Sequence, residues 1–162
     1  MVMHLSSALG EDADWRGQLC PIDNAASVIG SRPTLLIVRE AFYGTTRFDD
    51  FVVHTRLTTA VVSSRLKILV ENFVLALRPY REHGKRTRNE YVLTDRGNAL
   101  LPLVLALMQW GSDYVLEGGP VRANDAMTGN RLVVGPRDEN GEPISADRVR
   151  ISPNPAWHAP GG

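Results

Sequence analysis

Thr59, Ser63, Ser64 and Lys67 share one side of the stretch from Thr58 to Asn72, while Val62, Leu66 and Leu69 recur at i, i+4 and i+7 on the other. Short hydroxyl side chains and a cation on a helix anchored by its far side can exchange hydrogen bonds with base edges and phosphates. That is the chemistry of a major-groove reading element. Thr58 suits both an N-cap and a phosphate contact. Arg65 lies beside the buried face, placed either to pair with Glu71 or Asp50 or to reach DNA. A second basic group, Lys85, Arg86 and Arg88 together with Arg81, occupies a loop between two strand-like segments. A wing beside a major-groove helix lies over the adjoining minor groove or backbone, where arginine is favoured. Arg47 stands where a preceding support helix would meet the backbone.

Other chemistries find little support. There is no glycine-rich phosphate loop, nucleophile elbow or acid/base pair beyond ordinary surface charge, so no enzyme is expected. His4, His54, His83 and His158 are far apart and Cys20 is the single cysteine, so neither a metal site nor a cofactor is expected. Cys20 keeps two readings: a thiol sensor, because a helix N-terminus favours the thiolate, or a small buried apolar residue.

The chain is neutral overall, but its charge is unevenly placed. Residues 1–31 carry one Arg against four acids, residues 32–97 twelve Lys/Arg against seven, and residues 98–162 five against seven. A basic centre between acidic ends can present a positive surface, because phosphate contacts respond to local potential within roughly 10 Å. The apolar stretch from Ala99 to Val115 is interrupted by Pro102, Gln109 and Asp113, so no membrane span is expected. The N-terminus has no signal-peptide pattern, and a cytoplasmic protein is expected.

The elements that must position these residues follow from periodicity. Residues 1–19 are polar and without period, and are expected to form a flexible N-terminal arm. A helix opens at Cys20-Pro21 and ends at Gly30. A second begins after Arg32-Pro33-Thr34 and closes at Gly44, its all-round apolarity implying burial. A third starts around Thr46 to Phe51, and the reading helix runs from Thr58 to about Asn72. From Val74 the period becomes two through Tyr80, with Tyr91-Val92-Leu93 as the return strand. Thr94-Asp95-Arg96-Gly97 opens a long helix to about Val115 whose apolar surface exceeds what one small domain covers. Leu103, Leu107 and Trp110 on it are expected to face a second copy. Met108, Trp110, Phe42 and Phe48 either line a ligand pocket or serve core and interface, and an effector site is left unlocated. After Gly118 the tail turns rich in Gly, Pro, Asn and Asp. Strand candidates at 131–134 and 148–151 flank an Asn140-Gly141 turn, which suggests a hairpin-like appendage.

The expected fold is mainly α with a small antiparallel β wing: a winged helix-turn-helix over residues 20–116, a flexible arm before it and an appendage at 117–162. The residues also carry a family pattern. Cys20-Pro21, Ile29-Gly30, Leu35-Leu36-Ile37 with Arg39-Glu40, Arg47-Phe48, Leu57-Thr58, Ser64-Arg65-Leu66-Lys67-x-Leu69, Arg78-Pro79-Tyr80, Glu90-Tyr91-x-Leu93-Thr94-x-x-Gly97 and Trp110-Gly111 resemble the signature of HxlR-type transcription regulators, a branch near the MarR family. The resemblance covers about residues 20–115 and implies a dimeric, cytoplasmic bacterial regulator that binds operator DNA. Departures fall at Arg32-Pro33, where relatives usually carry Lys-Trp, at Phe73, where Gly is usual, and at Ala60, often polar or basic. Some members end in a cysteine-bearing zinc ribbon; the tail from Gly129 to Ile151 has no cysteine, so no zinc is carried over.

The leading expectation is a homodimeric regulator of double-stranded DNA, acting as a repressor. Two other readings stand beside it: a winged-helix protein-interaction module without DNA affinity, and a regulator responsive through Cys20.

Overall fold

A computed structural model describes residues 3–9, 14–17, 19–81, 83–84 and 86–156. Along the chain lie strand β1 (His4–Leu5), helices α1 (Pro21–Ile29), α2 (Arg32–Phe42), α3 (Phe48–Thr55) and α4 (Thr59–Glu71), and strands β2 (Leu75–Tyr80) and β3 (Arg88–Leu93). Helices α5 (Asp95–Asn98) and α6 (Leu101–Trp110), a π-turn at Gly111–Val115 and strand β4 (Arg150–Ile151) follow. The architecture is a winged helix-turn-helix, mostly helical with a small antiparallel sheet.

Local chemistry explains the boundaries. Pro21 sits at the start of α1, where its missing N–H costs nothing. The Ser31 hydroxyl accepts from the Thr34 amide and caps α2, so this helix begins at Arg32 rather than after Thr34. Because a cap and Pro33 together preset that first turn, Arg32-Pro33-Thr34 is inside the helix. Arg56 ends α3 in a left-handed conformation, φ 56°. Thr58 then caps α4, its hydroxyl accepting from the Val61 amide at 3.4 Å.

The core lies where α2, α3 and α4 meet the base of the wing. Val62, Leu66 and Leu69 of α4 are fully buried with Ile37 and Val38 of α2, Phe51 of α3, and Val74 and Leu75. Burying each such side chain contributes on the order of 1.5–3 kcal/mol, which fixes the rotation of α4 and turns its hydroxyl side outward. Only one side of α2 is buried, since Leu35 and Leu36 are half-exposed. In the wing, β2 and β3 pair in register from Leu75–Leu93 to Tyr80–Arg88. The return strand therefore starts three residues earlier than Tyr91, and Arg88 belongs to the ladder rather than to the loop. The Tyr91 amide donates to Thr46 O at 2.8 Å and its ring meets Phe51 edge-on, tying the wing to the α2–α3 turn.

A single long helix after Thr94 does not form. Thr94 caps α5, whose last residue is Asn98, and α6 starts at Leu101. Pro102 has no N–H for the Asn98 carbonyl and its ring crowds the preceding turn, so the break falls just before it. No residue of α6 is buried, and Leu103, Leu107 and Trp110 are exposed.

The tail also departs from a hairpin of 131–134 with 148–151. Arg150–Ile151 instead pairs in parallel with His4–Leu5 of the N-terminal arm. Segment 131–134 docks on the last helix: Arg131 grips the Asp113 carboxylate at 2.7 and 2.9 Å, and the Val134 amide donates to Gln109 Oε1 at 2.9 Å. The Asn140-Gly141 turn does form, bringing Arg137 opposite Pro143. Two-residue strands carry no readable period, and the partner that won lies far away in sequence.

Candidate nucleic-acid interface

With the apolar stripe of α4 buried, Thr58, Thr59, Ala60, Ser63, Ser64 and Lys67 are all exposed on its other side. The Thr58 oxygen that caps the helix still leaves its O–H as a donor. Lys67 forms an exposed i,i+4 pair with Glu71 at 3.7 Å, worth only about 0.3–0.5 kcal/mol and easily exchanged for a phosphate. Since Lys67 takes Glu71, Arg65 pairs with neither Glu71 nor Asp50 among the described contacts. Its Nε is buried without a hydrogen-bond partner among the described residues.

The start of α3 and the wing form a cleft of about 400 Å³, lined by Arg47, Asp49, Asp50, Tyr80, Arg88 and Asn89, with Phe48. Arg47, at the N-cap position of α3, lies 4.8 Å from the centre of the Tyr80 ring. Stacking of this kind orients a guanidinium. Asp49 and Asp50 bring acid into the same cleft, held in the first turn of α3 where the helix dipole favours them. Across the wing Arg78 Nε donates to Glu90 at 2.7 Å, and this bond, with one from Thr46, holds the Glu90 carboxyl below the usual carboxylate range. Arg86 is exposed near the wing tip, and Lys85 lies outside the described residues.

The other expected site residues are elsewhere. Cys20 is half-buried just ahead of α1, its carbonyl accepting from the amide and side chain of Asn24. Leu103, Leu107 and Trp110 are exposed on α6, away from the buried core. Among the described residues no group of His, Cys, Asp and Glu could hold a metal ion.

Sequence reasoning missed one structural support. Glu40, only 6% exposed, accepts from Arg39 at 2.6 and 3.0 Å and from the Thr45 hydroxyl at 3.3 Å, with His54 Nδ1 at 3.4 Å. It fastens the end of α2 to the turn and helix that precede α4. The available signal was an acid embedded in an otherwise apolar helix. Phe73, noted from the sequence as a departure, has φ 57°, a left-handed position that favours glycine. The Thr94 hydroxyl donates to Phe73 O at 2.6 Å and accepts from the Gly97 amide at 3.0 Å, locking the base of the wing to α5.

A reading helix held on a three-helix core, flanked by a basic wing, defines a DNA-binding regulator of the winged helix-turn-helix class. Residues 28–118 match the model of the HxlR-like helix-turn-helix family, and the chain belongs to that family. It is 35% identical over 144 residues to the uncharacterised HTH-type transcriptional regulator Rv3095 of Mycobacterium tuberculosis, covering 85% of this chain and 88% of that protein. The crystal structure of PA1607, assigned as a transcription factor, superposes with a TM-score of 0.73 at 34% identity, covering 88% of this chain and all of that one. The reduced form of the redox regulator HypR superposes with a TM-score of 0.51 at 26% identity, covering 60% of this chain and 97% of that one. The similarity to PA1607 thus extends further along this chain than that to HypR. The family and these relatives are transcription regulators rather than enzymes. No described helix is long and apolar enough to cross a membrane.

Proposed function

We propose that the protein binds operator DNA as a homodimer and represses transcription from it in the cytoplasm. Thr59, Ser63, Ser64 and Lys67 read or position the major groove, with Arg65 at its margin. Thr58, Arg47, Lys85, Arg86 and Arg88 hold the backbone. Residues 20–116 form the DNA-binding and dimerising unit, and residues 117–162 with the arm at 1–19 are accessory to it. The observation that carries the reading is the exposed hydroxyl side of α4, turned outward by the burial of Val62, Leu66 and Leu69. The dimer rests on α6, whose row Leu103, Leu107 and Trp110 is exposed on a helix with no buried residue. A mobility-shift titration against the DNA upstream of the protein's own gene tests it. Binding that weakens in Ser63→Ala and Arg47→Ala supports the reading; no shift at low salt sinks it. A second reading, control through Cys20, is favoured by the half-buried position of that thiol at the start of α1. It fails if mild oxidant leaves both the mass of Cys20 and the DNA affinity unchanged.

A further inference from the structure

Between α2 and the last helix lies a cleft of about 460 Å³, within the range of small-molecule sites and apart from the DNA-facing side of α4. One wall is α2, with Leu35 and Leu36 between Arg32 and Arg39; the other is α6, with Val104 and Met108. These four apolar side chains are half-buried, and the more exposed Leu107 also lines the cleft, whereas Leu103 and Trp110 of the row that suits a second copy do not. The outer edge is closed by the chain returning after the π-turn. Glu117, Gly118 and Gly119 all have positive φ and reverse the backbone, placing Pro120 and Val121 over the opening. A Cβ on Gly119 would lie 2.6 Å from Ser112 Oγ and 3.2 Å from Ser112 Cα, so glycine eases this close return. The π-turn that ends the last helix supplies Gly111 and Ser112 to the cleft.

The polar groups select the ligand. Arg32 makes no ion pair among the described residues, while Arg39 is shared with buried Glu40 and lies 5.9 Å from the centre of the Tyr43 ring. Two guanidiniums against one carboxylate leave a single positive charge at an apolar cavity, which complements a monoanion with an apolar body. We propose that this cleft is an effector site for a bulky apolar carboxylic acid, its carboxylate held by Arg32 and Arg39. The regulatory half rests on the DNA-binding reading above: a carboxylate on Arg39 competes with Glu40, which also holds Thr45 and His54 and so the turn and helix leading to α4.

The test uses the full chain with 2-naphthoate and its neutral counterpart 2-naphthylmethanol. Isothermal titration is expected to show saturable binding of naphthoate at one site per chain. Binding is expected to weaken about tenfold or more in Arg32→Gln or with the neutral alcohol, and to vanish in Val121→Trp, which fills the opening from an exposed position. Absence of saturable binding, or binding indifferent to Arg32→Gln, overturns the site. Binding that falls as protein concentration rises and subunits associate also overturns it, because a second copy then fills the cleft. In a mobility shift, saturating naphthoate is expected to change DNA affinity severalfold in the native chain and not in Arg32→Gln. Unchanged affinity overturns the coupling through Glu40, whereas failure of DNA binding itself shows in the lane without ligand.

Discussion

Replacing Phe73 by glycine and, separately, by alanine tests the backbone geometry where the reading helix passes into the wing. Phe73 is held at φ 57° while its side chain is 70% exposed. A left-handed backbone costs a residue with a Cβ about 1–2 kcal/mol, and glycine adds roughly 0.5–1 kcal/mol of unfolded-state entropy. Both substitutions remove the same ring contacts, so these cancel between them. The difference left is about 0.5–1 kcal/mol in favour of glycine, the reverse of the order at an ordinary helical position. Urea denaturation monitored by circular dichroism measures it, and in a chain of this size the melting temperatures should differ by a few degrees in the same sense. An alanine variant as stable as the glycine variant, or more so, would refute the left-handed assignment.

Three further outcomes follow from the same geometry. Gly97→Ala places a Cβ 2.2 Å from the Val74 carbonyl and 2.9 Å from Leu93 Cδ2; backbone cannot yield as a side chain would, so a loss of about 1–3 kcal/mol is expected in denaturant melts, and an unchanged midpoint rules out the packing described. Glu90 is held below the ordinary carboxylate range by Arg78, so its pairing stabilises the fold at neutral pH and is lost as the pH falls through the lowered folded value. Glu90→Gln should therefore flatten the acid limb of a stability–pH profile, and an identical limb contradicts this. Arg88→Ala should reduce the slope of log affinity for DNA against log salt by about 0.9, one phosphate contact; an unaltered slope removes Arg88 from the backbone-contacting set.

The parts legible in the sequence were those with strong local periods. The stripe of Val62, Leu66 and Leu69 located both the buried and the exposed sides of α4, and Thr58 marked its start because capping is a short-range interaction. The wing was legible from its change of period, although Arg88 was placed one element away, since strand ends carry only weak signals. What escaped was non-local or strained. Tyr80 under Arg47 joins residues far apart in sequence, and Glu40 resembles a surface charge until Thr45 and His54 are folded around it. Pro102 was visible as an interruption, yet a proline in an apolar run does not by itself say whether it kinks a helix or splits it. The pairing of His4–Leu5 with Arg150–Ile151 spans nearly the whole chain and leaves no pattern in either segment.

Selection of binding sites from random double-stranded DNA by the full chain tests the central claim most directly. The account predicts enrichment of an inverted repeat whose half-sites lie about 10–10.5 bp apart, or a multiple of that, centre to centre. It further predicts that Ser63→Ala or Ser64→Ala changes the preferred bases within each half-site. No enrichment at low salt, or a preference indifferent to both substitutions, would contradict the assignment of α4 as the element that reads DNA.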